Sequence, residues 1–165
     1  MSKSNREVEA GDEVKSIQGH FLVEVIRDTP DGPKVIQRVT SPNIVLTVGK
    51  KQLWRMSTGL SAKMFKYGRA GINSAAAVVG DTNVKTAITG TLKTITSVTM
   101  SGQTLQLVWS YASGGGTKSA AFKEIAILNQ LTSPGGSALA RAVLSPLATK
   151  TTADKLKLTY QVKVT

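Results

Sequence analysis

Apolar and polar residues alternate through most of this chain with the period of a strand. The pattern is clearest in the C-terminal stretch KLKLTYQVKVT. Leu156, Leu158, Tyr160, Val162 and Val164 fall on one side, and Lys157, Thr159, Gln161, Lys163 and Thr165 on the other. Successive side chains of a strand point to opposite faces, so the stretch predicts a strand with one buried and one wet face. Its lysines suit a guarded sheet edge.

The same reading places other elements. HFLVEVIRD and VIQRVT are strands around the turn TPDGPK, so residues 20–40 predict a hairpin. SPNIVLTVGKKQLWRMSTG is the one helix candidate, with Thr47 as cap, Leu53, Trp54 and Met56 as its buried side and Gly59 as its stop. KMFKYGRAG resumes as a strand, and INSAAAVVGDTNVKTAITG is a loop or one weak helical turn. TLKTITSVTM and TLQLVWSYA form a second hairpin about SGQ, with apolar residues alternating in both halves. FKEIAILN is a further strand and ALARAVLSPLA a strand followed by a loop, set off by SGGGTKSA and QLTSPGGS. Short strands with turn signals between them predict a mainly β fold: an antiparallel β-sandwich, jelly-roll-like, with one short helix. Residues 1–16 are polar and predict a flexible N-terminal arm, leaving 17–165 as a single sandwich domain.

Charge adds a further contrast. The chain carries 21 bases against 10 acids, a net +11. Residues 1–31 hold four bases and seven acids, and the remainder seventeen bases and three acids. The basic body suits a polyanion, or the acidic leading segment lies on a basic body, its own or a neighbour's. With no cysteine there are no disulfides and no thiol chemistry. No apolar run approaches a membrane span, and MSKSNREVEAGDEV lacks the apolar core of a secretory signal, so no membrane partner is expected and synthesis in a cytoplasm is.

The search for chemistry yields no catalytic residue, no metal site and no cofactor site. His20 is the single histidine, and a catalytic one needs a placed partner. After residue 31 the acids are Asp81, Glu124 and Asp154, with no spacing that marks a two-carboxylate site. The glycines 114–116 lack the lysine and the strand-to-helix setting of a phosphate loop. Nucleic-acid binding is a rival reading. Lys50, Lys51 and Arg55 sit together on the helix candidate, and Lys63, Lys66 and Arg69 follow with Phe65 and Tyr67 interleaved. A carbohydrate platform built of Trp54, Trp109 and Tyr111 is another, though the pattern puts these rings in the core.

Several stretches in order resemble a family of tailed-bacteriophage virion proteins. They are PNIVLTVGKKQLWRM, FKYGRAGINSAAAVVGDT, FKEIAIL, ALARAVLSP and KLKLTYQVKVT, together spanning roughly residues 20–165. The glycine-rich stretch departs from the pattern, with GRAG where related proteins tend to have GTG. Similar proteins are capsid decoration (cement) proteins, head fibres and tail-fibre or baseplate components. The resemblance implies a non-enzymatic virion part without cofactors, made in the host bacterial cytoplasm. Its expected partners are the major capsid protein or other virion proteins and further copies of itself, a trimer suiting a local threefold axis. Decoration of the capsid is the first expectation, because the chain shows no repeat of the kind a fibre shaft carries. A tail-fibre, baseplate or neck component is the second, and a nucleic-acid-binding basic protein the third. The residues expected to meet a partner are Lys50, Lys51, Arg55, Lys63, Lys66, Arg69, Lys157 and Lys163.

Overall fold

The structure, a computed structural model, describes residues 17–59, 64–113, 120–129 and 137–164. The arm at 1–16, Lys63 and the glycines 114–116 lie outside the described residues.

The elements follow in order as β1 (Ile17–Thr29), β2 (Gly32–Pro42), β3 (Ile44–Val45), α1 (Thr47–Ser57), β4 (Tyr67–Gly71), β5 (Lys93–Thr94), β6 (Ser97–Ser101), β7 (Thr104–Tyr111), β8 (Ala120–Leu128), β9 (Ala138–Lys150) and β10 (Asp154–Val164). They form two antiparallel five-stranded sheets, β2-β1-β10-β7-β6 and β3-β9-β8-β4-β5. The fold is mainly β, and the two sheets are consistent with a sandwich. The hairpins predicted at 20–40 and around residue 102 are present as β1–β2 and β6–β7.

The alternation of β10 has the predicted phase. Leu156, Leu158 and Tyr160 are fully buried and Val162 half-buried, beside Phe21, Val23 and Val25 of β1 and Leu107, Trp109 and Tyr111 of β7. Ile125, Ile127, Ala140 and Ala142 of the second sheet complete the core. Burying side chains of this size stabilises the fold by about 1.5–3 kcal/mol each before the entropy of ordering is counted.

Three expectations fail, each for a tertiary reason. β10 is the central strand of its sheet and not an edge, because β1 and β7 pair with its two sides. Thr159, predicted wet, is buried on the outer face, with Leu22 and Val108 opposite it on the neighbouring strands. TLKTITSVTM is not one strand. Ile95 N–H donates to Lys66 and Thr96 N–H to Val108, so the chain leaves one sheet after β5 and enters the other at β6. Val98 and Met100 then lie 64% and 75% exposed, since β6 is an edge strand and the sheet opposite ends in the two residues of β5.

On the opposite side the two sheets are stitched by side chains. Gln37 of β2 donates to the Leu147 carbonyl (2.9 Å) and accepts from Thr149 N–H (3.0 Å), standing in for a strand partner of β9. Ser41 donates to the Val143 carbonyl (2.7 Å).

Candidate functional site

The outer face of the β3–β5 sheet is covered by α1 and by the long loop 72–92, which enclose a second apolar cluster of Leu46, Val84, Ala126, Leu128 and Ala138. Beside that cluster lie the charges the sequence singled out least. Glu124 of β8 and Arg141 of β9 are both 0% exposed. Arg141 donates Nε to Glu124 Oε2 (2.9 Å), with its Nη2 at 2.7 Å from the same oxygen. Its Nη1 reaches Asp81 (2.9 Å) and the Ala76 carbonyl (3.2 Å), and Nη2 the Ala75 carbonyl (3.0 Å). Glu124 in turn accepts the N–H groups of Asn73, Lys85 and Thr86 at 2.8–3.2 Å. A loop cannot be laid on a sheet with its backbone polar groups unpaired, and these two side chains supply the partners a strand would have supplied. Gly71 belongs to the arrangement, because a Cβ there would meet Glu124 Oε1 at 2.5 Å.

Asp154, Glu24 and Asp28 are also paired within the chain. Asp154 is buried, accepts from Arg27 (2.8 Å) and from Thr151 N–H and hydroxyl, and is held well below the usual carboxylate range, chiefly by the Arg27 guanidinium. Glu24 takes Arg38 (2.8 Å) and Lys157 (3.5 Å), and Arg38 is the main reason its carboxyl is lowered. Asp28 takes Lys155 (2.7 Å). Glu24 and Asp28 of the acidic leading segment thus face the chain's own basic side chains.

The sequence-predicted partner residues separate accordingly. Lys157 belongs to the cross-strand charge row with Glu24 and Arg38. Lys163 is exposed and borders a shallow polar groove of about 310 Å³ with His20, Gln18, Gln161 and Thr104. Arg69 is half-buried on β4, and its Nε is buried without a partner. Lys66 is exposed beside β4, and Lys50, Lys51 and Arg55 are exposed on α1. Phe65 and Tyr67 are half-buried against the two apolar clusters, so they do not interleave with the lysines as open rings.

The helix itself corrects the prediction. Its range and its end before Gly59 agree, but Leu53 is 37% and Trp54 72% exposed, while Gly49 and Gln52 are buried. A Cβ on Gly49 would stand 2.6 Å from Leu139 Cα and from the Leu139 carbonyl oxygen. That backbone-to-backbone approach, continued by Leu46 N–H donating to Leu139 (2.9 Å), fixes which way the helix is turned. At 100° per residue, the direction opposite Gly49 and Gln52 belongs to Trp54, flanked by Lys50 and Lys51. The platform of three rings is likewise excluded: Trp109 and Tyr111 are 0% exposed, with Trp109 Nε1 donating to the Tyr111 hydroxyl and that hydroxyl to the Thr91 carbonyl.

Among the described residues no group of three or more metal-ligating side chains is assembled, and no helix is long and apolar enough to cross a membrane. Compared with family models, curated proteins and solved structures, the chain matches none.

Proposed function

We propose that this chain is a non-enzymatic structural protein of a tailed-bacteriophage virion, a capsid decoration (cement) protein that binds the assembled head and stabilises it. The observation that carries the reading is where the charges of the resembling segments go. Asp81 of GDT, Glu124 of FKEIAIL and Arg141 of ALARAVL meet in one buried network that holds a loop on a sheet. A signature whose charges build the scaffold leaves the work to the surface. There the chain offers an uncharged edge strand, β6, with Val98 and Met100 exposed, and a basic helix. An open edge of this kind fits a neighbouring chain. A protein that binds only the assembled lattice stabilises it by mass action, and a closed trimer suits a local threefold of the shell.

The test is attachment. Purified protein is sedimented with assembled heads, and separately with free shell subunits, of the phage whose genome encodes it. The expected result is binding to heads alone, at a copy number comparable to that of the shell subunit, with a higher temperature of head opening. A few copies confined to the tail or neck would move the protein there, and no association with particles would overturn the reading.

A further inference from the structure

The outward face of α1 has the composition of a docking surface. Trp54 is 72% exposed at its centre, with Lys50 and Lys51 one turn before it and Arg55 and Leu53 on either side, all exposed. Burying an aromatic ring of this size is among the larger single gains a surface residue can make, and this helix turns Gln52 inward and Trp54 outward. Two of its charges are equally out of place for stability alone, Arg55 in the last turn being favourably placed. No acid stands in the first turn, and Lys50 and Lys51 occupy the half of the helix where the backbone dipole disfavours cations. Among the described residues no ion pair joins a carboxylate to Lys50, Lys51 or Arg55, and Glu24, Asp28, Asp81, Glu124 and Asp154 each take another cation. An exposed tryptophan among exposed cations that no described carboxylate neutralises has the make-up of a binding surface.

We propose that this face of α1 binds an acidic protein surface, with Trp54 as the apolar anchor and Lys50, Lys51 and Arg55 as the surrounding charges. Tryptophan and arginine are among the residues that carry most binding energy at protein interfaces, and cations beside them steer an acidic partner. A single-stranded nucleic acid asks instead for a row of rings along a groove, and here Phe65, Tyr67, Trp109 and Tyr111 are all drawn into the fold. The acidic protein surface is therefore the occupant that matches both the charge and the lone ring. The inference is independent of which particle or complex the protein joins.

The two tryptophans make the test direct, since Trp109 is fully buried and Trp54 is not. Tryptophan emission and acrylamide quenching are followed while the protein is titrated with a synthetic peptide alternating glutamate and leucine. A parallel titration uses an oligothymidylate of equal net charge at the same salt. The peptide is expected to shift emission to the blue and shield the exposed ring. Trp54→Phe should remove the optical signal, and Lys50→Glu with Lys51→Glu should weaken binding on the order of tenfold. The substitutions lie on exposed positions, and unchanged melting curves identify them as folded. Tighter, Trp54-dependent binding of the oligothymidylate overturns the choice of a protein partner. Peptide binding that survives both the charge reversal and Trp54→Phe, followed by calorimetry, places the site elsewhere, and no response to either probe overturns the docking surface.

Discussion

Arg141→Met tests whether the buried ion network holds the fold together. Methionine keeps roughly the length and the apolar stem of arginine, so the cavity is small and the change isolates the guanidinium. What is lost is the cation between Glu124 and Asp81 and the donors to the Ala75 and Ala76 carbonyls. Glu124, at 0% exposure, keeps its three backbone N–H donors but no opposite charge. Breaking a buried pair from one side costs about 3–5 kcal/mol, because a desolvated charge is left behind. A domain of this size has on the order of 5–15 kcal/mol in all. With a urea slope near 2 kcal/mol/M, the midpoint should fall by about 1.5–2.5 M. Arg141→Met combined with Glu124→Gln should lose less than the two single changes added together, since the residues are in contact. Amide exchange at Asn73, Lys85 and Thr86 should rise in the single variants, because these N–H groups depend on the placement of Glu124. A midpoint within about 0.5 M of the parent, or additive losses in the double variant, would refute the argument.

Leu158→Ala removes a fully buried side chain and should cost about 2–5 kcal/mol in a denaturant melt, whereas Lys163→Ala on the open face should change stability by less than about 0.5 kcal/mol. Gly49→Ala pushes a methyl into the backbone of β9 and should cost about 1–3 kcal/mol, with a change in Trp54 emission as the helix is displaced; an unaltered melt and spectrum would show that this contact does not set the helix rotation. Asp154 and Glu24 have folded-state pKa values below their unfolded ones, so their contribution is present above about pH 4 and is lost as pH falls through the folded values. Asp154→Asn should therefore flatten the acid limb of a stability-against-pH curve, and a limb of unchanged steepness would count against that carboxylate.

The strands were legible because their signal is local. Leu156, Leu158 and Tyr160 alternate with polar neighbours, and a half-buried strand has no other way to be written. Position in the sheet was not legible, since the same lysines serve an edge or the wet face of a central strand, and only the pairing of β10 with β1 and β7 decides. The helix was placed correctly and turned wrongly. Its rotation follows from the contact of Gly49 with Leu139, which is 90 residues away and leaves no trace in the pattern of α1 itself. The ion network joins residues 17 and 60 apart. A signal for it did exist: Glu124 in FKEIAIL and Arg141 in ALARAVL are lone charges inside apolar runs. A charge buried on one strand needs an opposite charge near it, and the two runs are consecutive strands of the chain.

The same pairings change how the net charge is to be understood. A surplus of +11 read as one number suggests a body that is basic all round. In the fold, Arg141 is sealed inside, Arg27, Arg38, Lys155 and Lys157 face the acids of β1 and β10, and Lys85 stands 3.9 Å from Asp81. The cations outside these pairs include Lys50, Lys51 and Arg55 on α1, with Lys66 beside β4 and Lys93 in β5. Tyr67 and Leu92, the neighbours of Lys66 and Lys93, pack on the apolar cluster that Val48 of α1 also covers, so these cations gather around one end of one sheet. Cations already neutralised by a neighbouring carboxylate offer little net charge to a further partner, whereas unpaired ones attract it over a screening length of about 8 Å at physiological ionic strength. Salt-sensitive association should therefore trace to this end of the molecule and depend little on the paired Arg27, Arg38, Lys155 and Lys157.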